Sequence, residues 1–237
     1  MKFRWLPVLL IFLVVAVTVR LGFWQLDRAH QKEALADSIA RYEQAPARAL
    51  DAQPIALRDI EFHRVRAVGR FLPARAVYLD NRPYHDQPGF YVVMPLELSG
   101  GGYVLVNRGW LPRNIADRTA IEAFPTPPGE VAIEGIARAD ASRAFELGEG
   151  GSAANQRIRQ NLDVAEYARE TGLPLQPFVI QQTNDIGDRL VRDWPAPTLG
   201  VERNYGYMAQ WWAMAAAAVG FGLYAARRAA RKSSGAA

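Results

Sequence analysis

The 237-residue sequence contains no cysteine. That excludes disulfide staples, thiolate metal centres and dithiol redox chemistry, and it fits an oxidising compartment. Histidine is almost as scarce. His30, His63 and His85 stand apart with no ligand spacing, and no HExxH, P-loop or GxSxG motif occurs. Each of the three is expected to be structural or solvated rather than a metal ligand. The four methionines form no cluster, with Met208 and Met214 set in an apolar stretch, which disfavours copper delivery. Asp80, Asp86, Glu97 and Glu134 lack the spacing of a catalytic carboxylate pair and read as ordinary surface acids. The formal net charge is only +4. Much of that excess lies near the chain ends, where anionic lipid is the expected counter-charge and nucleic acid is not.

What the sequence does have is greasy ends. Trp5 to Val19 carries no charge, and the apolar stretch runs on to Leu26 past Arg20 alone. Tyr205 to Ala226 carries no formal charge and stops against Arg227, Arg228, Arg231 and Lys232. Each stretch, about 22 residues and roughly 33 Å as a helix, can cross a hydrocarbon core of about 30 Å. A cleaved signal is the competing reading of the first, but its small-residue cleavage pattern is poor and bulky residues follow it. Arg20 is accommodated by snorkelling to the headgroups. Lys and Arg counts at the span ends are balanced between the two sides. Since only short segments obey the charge bias, the short tails 1–4 and 227–237 are expected in the cytoplasm and 27–204 outside it.

Between the ends the pattern turns to period two. His63–Phe71, Ala76–Asp80, Phe90–Leu98, Tyr103–Leu111, Glu130–Arg138 and Phe178–Gln182 read as strands, and Gly100–Gly102 as a hairpin turn. Asp163 with Glu166 marks a helix start, and Gly172 with Pro174 its end. The first span is expected to continue as a helix toward Pro46, with Leu35, Ile39 and Tyr42 on one face. Ala123–Gly129 and Gly148–Ala154 read as loops. The fold class expected is α+β: two transmembrane helices, 5–26 and 205–226, flank a mostly antiparallel β domain with one or two helices. Barrel and sandwich are equally open.

Four clusters stand out. Arg20, Trp24, Arg28 and Lys32 recur every four residues, so they share one helix face, with Gln25 beside them; such a row could hold an anionic group against an aromatic ring. Asp80-Asn81-Arg82 and Asn107-Arg108-Gly109-Trp110 close two strands, and read as turn-forming Asn beside a solvated Arg. Near the second apolar stretch, Asn204, Tyr207 and Trp211 share a face. Ala216 with Gly220 and Ala218 with Gly222 form small-residue pairs suited to close helix packing.

Leu21, Gly22, Trp24, Gln25, Arg28 and Lys32 match the LGxWQxxRxxxK signature, and the chain thereby resembles the Surfeit locus protein 1 family. Val68-Gly69-Arg70-Phe71, Asp80-Asn81-Arg82, Gly89 to Val93 with Pro95-Leu96, and Val106 to Trp110 look like its central motifs, in order. Tyr207 to Trp212 resembles its YAxQWF stretch. The resemblance implies a bacterial-type, non-enzymatic factor of the inner membrane with a periplasmic domain. Such a factor assists assembly of haem-copper cytochrome c oxidase, with subunit I and other assembly factors as partners and haem a as a possible cofactor. Its site would comprise Trp24, Arg28, Asn204, Tyr207 and Trp211, holding either haem or the partner's interface. The chain departs from the family where a histidine, the proposed haem ligand of bacterial members, is often found: here the residue is Asn204. Asparagine is a poor iron ligand, and Met208, the nearest alternative, is turned about 100° from Tyr207. A protein-binding scaffold without haem is therefore kept beside the haem reading, and a membrane-tethered periplasmic enzyme stands as the reading from another class.

Overall fold

The computed structural model describes residues 5–142, 156–195 and 199–234. The expected loop Gly148–Ala154, the residues of tail 1–4 and the last residues of tail 227–237 lie outside these. The chain forms two units, one built on the two long helices and the other on Ile39–Pro195.

The helical unit consists of α1 (Leu6–Gln44), whose last turns from Ile39 belong to the sheet unit, and α3 (Val201–Ser234). Nothing in α1 interrupts the helix before Pro46, so the expected continuation beyond Leu26 is present. Among the described residues α1 is the one helix long and apolar enough to cross a membrane. Of the two expected spans, the first is thus a candidate by length and apolarity, and the second does not reach the same apolarity. In α3, tryptophan, tyrosine, glycine and alanine stand where α1 carries leucine, valine and isoleucine, and its apolarity is correspondingly lower.

All six expected strands are present: β2 (Arg64–Phe71), β3 (Val77–Leu79), β4 (Gly89–Leu98), β5 (Tyr103–Pro112), β6 (Val131–Arg138) and β8 (Leu175–Gln182). Two strands of two residues each, β1 (Arg48–Ala49) and β7 (Ile158–Arg159), join them. Two residues are too short to show an alternation, so the sequence carries no trace of these. The hairpin at Gly100–Gly102 forms as expected, with Leu98 N–H donating to Gly102 O.

Five of the strand pairings are antiparallel, and three (β1 with β2, β3 with β7, β5 with β8) are parallel. The order β1-β2-β6-β8-β5-β4-β3-β7, with the added pairing of β2 to β4, closes β2, β6, β8, β5 and β4 into a ring. The structure thereby chooses barrel over sandwich. Closure depends on Gly69, which pairs with Leu98 where β2 meets β4: a Cβ there would fall inside the Glu97 carbonyl. Only a residue without a side chain lets the two backbones approach this closely.

Alternate residues of each strand feed two apolar clusters. Phe90, Val92, Met94, Leu96, Val104, Val106, Phe178 and Ile180 fill the barrel interior. Leu79, Val93, Leu105 and Val179 face outward and are covered by α2 (Val164–Thr171) through Val164 and Tyr167. The start and stop of α2 follow the sequence. Asp163 accepts a hydrogen bond from Glu166 N–H at 2.9 Å, and Gly172 ends the helix at φ 69°.

Candidate functional site

In the helical unit α1 turns inward at Ile11, Val15, Thr18, Gly22, Gln25, Ala29 and Lys32, which alternate by four and three residues. α3 does the same at Val201, Asn204, Met208, Trp211, Ala215, Ala218 and Gly222. Spacing of 3.5 residues is the pattern of helices packed knobs into holes. Ile11 meets Gly222 at one end of the seam and Lys32 meets Gly200 and Asn204 at the other, so the helices run antiparallel.

The polar end of the seam is a short network. Lys32 Nζ donates to Asn204 Oδ1 at 2.7 Å and more weakly to Gly200 O at 3.5 Å. Asn204 Nδ2 donates to Gln25 Oε1 at 2.7 Å. Gln25 and Lys32 lie seven residues apart, two turns, and grip Asn204 from either side. Tyr205 OH donates to Glu33 Oε1 at 2.8 Å on one flank. One level along, Trp212 lies across Gly22, where any Cβ would collide with its indole, and meets Phe23 edge to face with centroids 5.4 Å apart. The glycine, glutamine and lysine of the signature are thus the residues that seat α3 on α1.

Of the expected site residues, Asn204 and Trp211 are half-buried, whereas Trp24 (48%), Arg28 and Tyr207 (53%) are exposed. The contacts from Lys32 to Asn204 and from Gly22 to Trp212 bracket all five within the same few turns. No ring stack or cation–π contact joins Trp24, Arg28, Tyr207 and Trp211 among the described residues, and Arg28 hydrogen-bonds Gln31 at 3.2 Å. The cations of the row do not close over Trp24: Arg20 and Arg28 are exposed and Lys32 turns to Asn204. The small-residue pairs divide: Gly222 packs on Ile11, while Gly220 has nothing within 4 Å. Lys32 and Gln25 are the members that sequence reasoning left at the margin. The four-three spacing of their face was the signal that could have found them.

The sheet unit corrects the reading of the two arginine motifs as solvated. β5 carries one more residue than β4 where Val92 pairs with Gly109 and Val93 with Asn107. The extra residue is Arg108, and the bulge aims it into the barrel core. Its guanidinium is fully buried; it donates to Asp188 Oδ2 at 2.7 Å, to Thr126 Oγ1 at 2.6 Å and to Pro125 O at 3.2 Å. It also lies 4.4 Å over the Phe71 ring. Asp188, also fully buried, takes a second arginine, Arg192, at 2.6 Å. Burial lowers the Arg108 pKa, and the Asp188 carboxylate opposes that shift. Arg82 is 5% exposed and donates to the carbonyls of Asp80, Ser142 and Gln160. Its own carbonyl receives Trp110 Nε1 at 2.6 Å, tying the two motifs together. Burial lowers its pKa as well. Only Asn81, at φ 60°, behaves as the turn former expected. These groups lock loops onto the barrel.

The surface acids each make separate contacts. Asp80 pairs with Arg113 at 3.3 Å, Glu134 with Arg64 at 3.5 Å, and Glu97 accepts from Tyr103 OH at 3.3 Å. Asp86 sits in the tight turn between Tyr84 and Gln87. His63 stacks on Tyr42 with centroids 4.2 Å apart. Among the described residues no three or more His, Asp or Glu stand together as a metal site would require.

The fold and these contacts define a class: an α+β protein with a ring-closed sheet unit, a seamed helix pair and an apolar N-terminal helix able to span a membrane. Residues 12–216 match the model of the SURF1 family, and the chain belongs to that family. It is similar to a SURF1-like protein of Rickettsia bellii, 28% identical over 186 residues, covering 77% of this chain and 73% of that one. It is also similar to Surfeit locus protein 1 of Arabidopsis thaliana, 33% identical over 124 residues, covering 47% of this chain and 35% of that one. The rat Surfeit locus protein 1 is 27% identical over 174 residues, which is 67% of this chain and 56% of its own length.

Proposed function

We propose that the protein is a membrane-bound assembly factor, without catalytic turnover, for haem-copper cytochrome c oxidase. In this reading it assists haem a insertion into subunit I, or stabilises that subunit, together with other assembly factors. Both long helices cross the bacterial inner membrane, with the tails in the cytoplasm and residues 27–204 in the periplasm. The first span rests on the apolarity of α1. The second rests on the uncharged run Tyr205–Ala226 and the cations that end it. The observation that carries the functional reading is the family match, which takes in the signature on α1, the sheet unit and the start of α3. The exposed Trp24, Arg28 and Tyr207, with Trp211 and Asn204, form the surface offered to a flat, propionate-bearing ligand or to the partner itself.

A second reading, a protein-binding scaffold that never holds haem, is favoured by one specific observation. Both ends of the Asn204 amide are engaged, Oδ1 by Lys32 and Nδ2 by Gln25, and it presents no imidazole to an iron. Purification from cells that make haem a, followed by a visible spectrum, separates the two. A haem band that persists through washing supports haem handling. Absence of the band, with oxidase activity still dependent on the gene, supports the scaffold. Oxidase activity unaffected by loss of the gene overturns both.

A further inference from the structure

The apolar stretches 5–26 and 205–226 carry one formal charge between them, Arg20, and no acid. Arg20 is exposed and lies off the helix seam, into which its neighbours Thr18 and Gly22 are buried. It makes no ion pair among the described residues, and the residues around it on α1 and α3 are all described. Because Ile11 meets Gly222 and Gly22 meets Trp212, Arg20 stands level with Ala213 and Met214, and neither can neutralise it.

Snorkelling is the usual escape for such a cation, and three features oppose it here. Arg20 lies six residues, about 9 Å, inside the outer end of the span at Leu26. A helical side chain lies over the turn on the N-terminal side of its own Cα, and with the N-terminal tail in the cytoplasm that direction leads deeper into the bilayer. The positions one turn outward on the same face are Phe23 and Trp24, both exposed, so two large aromatic side chains flank the way to the outer headgroups. An arginine at hydrocarbon depth is costly and is found paired with an opposite charge. The spans of this chain hold no carboxylate, so those of a second copy hold none either.

We propose that Arg20 is the docking point for a transmembrane helix of another protein, one that carries an aspartate or glutamate within the hydrocarbon. That helix seats on the exposed face formed by Leu13, Val17, Arg20 and Trp24, which recur by four and three residues. The guanidinium stays charged at any physiological pH and takes a carboxylate through two parallel hydrogen bonds, which fixes the depth of the partner helix as well as its presence. The inference rests on the reading that α1 crosses the membrane with its N-terminus in the cytoplasm, and it names the chemistry of the partner.

Two measurements on the full chain test it, and neither reads oxidase activity. Since the chain has no native cysteine, Val8→Cys, off the docking face, takes a fluorescent label in phosphatidylcholine vesicles. The probe is a leucine–alanine transmembrane peptide with one glutamate about two turns below its outer end, compared with the same peptide carrying glutamine. The glutamate peptide is expected to associate on the order of tenfold more tightly by energy transfer. Arg20→Gln should abolish that preference, Arg20→Lys should keep part of it, and Arg227→Gln should leave it whole. A preference erased by adding phosphatidylglycerol would assign Arg20 to a lipid headgroup and overturn the proposal. Quenching of the label by lipids brominated along the acyl chain reads the span itself: a label outside the hydrocarbon overturns both the span and the docking point, whereas a label inside it with equal binding of the two peptides overturns the docking point alone. In cells, a benzophenone side chain at position 17 is expected to crosslink a membrane-spanning segment that contains an aspartate or glutamate, with a yield about tenfold lower in Arg20→Gln. No crosslink, or a crosslinked span without an acid, overturns the proposal.

Discussion

In the sheet unit Arg108 and Asp188 make a 2.7 Å bond with neither side chain exposed, whereas in the helical unit Lys32 and Asn204 make a bond of the same length while both are half-buried. In the first case two cations converge on one fully buried carboxylate, with Phe71 and Phe124 stacked on Arg108. Removing one partner strands a charge in a low-dielectric interior. In the second a single cation meets a neutral amide at the edge of a seam, where water can replace whatever is removed. The barrel's polar centre is therefore expected to be intolerant of change and the helix pair's to be adjustable. Adjustable is what the proposed partner surface would require.

The largest effect that would test this contrast is Asp188→Ala, which leaves the buried Arg108 without a carboxylate and Arg192 with Asp185 at 3.6 Å. A loss of about 3–5 kcal/mol in urea denaturation of the sheet unit is expected, and a loss below that of an exposed pair such as Arg64–Glu134 would erase the distinction. Next is Gly22→Val, whose side chain must evict Trp212 from the seam at a cost of about 1–3 kcal/mol. Because the chain has no native cysteine, paired Ile11→Cys and Gly222→Cys substitutions report seam closure through disulfide yield. Gly22→Val should depress that yield, and Trp212→Ala should restore part of it. Asn204→Ala is expected to cost only about 1 kcal/mol by the same readout, since Lys32 keeps Gly200 O and Gln25 is half-buried rather than enclosed. A cost as large as that of Asp188→Ala would show the seam to be as rigid as the barrel.

The smallest effect concerns pH. Burial raises the pKa of Tyr91 and Tyr167 above the usual phenol value. Below about pH 10 both are neutral folded or unfolded. Above it the unfolded chain loses its protons first, so stability is full below the unfolded value and declines as pH rises through the folded one. Urea midpoints between pH 9 and pH 11 should fall, and Tyr91→Phe should flatten part of the slope. A midpoint that does not move would show that neither phenol is protected.

The elements were legible where a repeating pattern spans several residues. Period two gave β2 to β6 and β8, and the Asp163 cap with Gly172 gave α2. What escaped were relations between distant residues. Arg108 looks like a solvated strand end because its partner lies 80 positions away and because the bulge that turns it inward leaves no pattern. Barrel closure rests on Gly69, one glycine inside a Val-Gly-Arg-Phe run whose meaning appears only when Glu97 is found against it. In the helical unit the aromatic residues drew notice, while the residues that join the helices are the plainer Gly22, Gln25 and Lys32.

Ring closure leaves the sheet with two free margins, and at each stands a strand of two residues, β1 and β7. A margin so short offers an extended chain almost no backbone groups to pair with. A protein proposed to wait beside an unfinished membrane subunit works among exposed, unpaired segments. Among the described residues this one gives them little to zip onto, which would let it attend the proposed partner without being drawn into a shared aggregate.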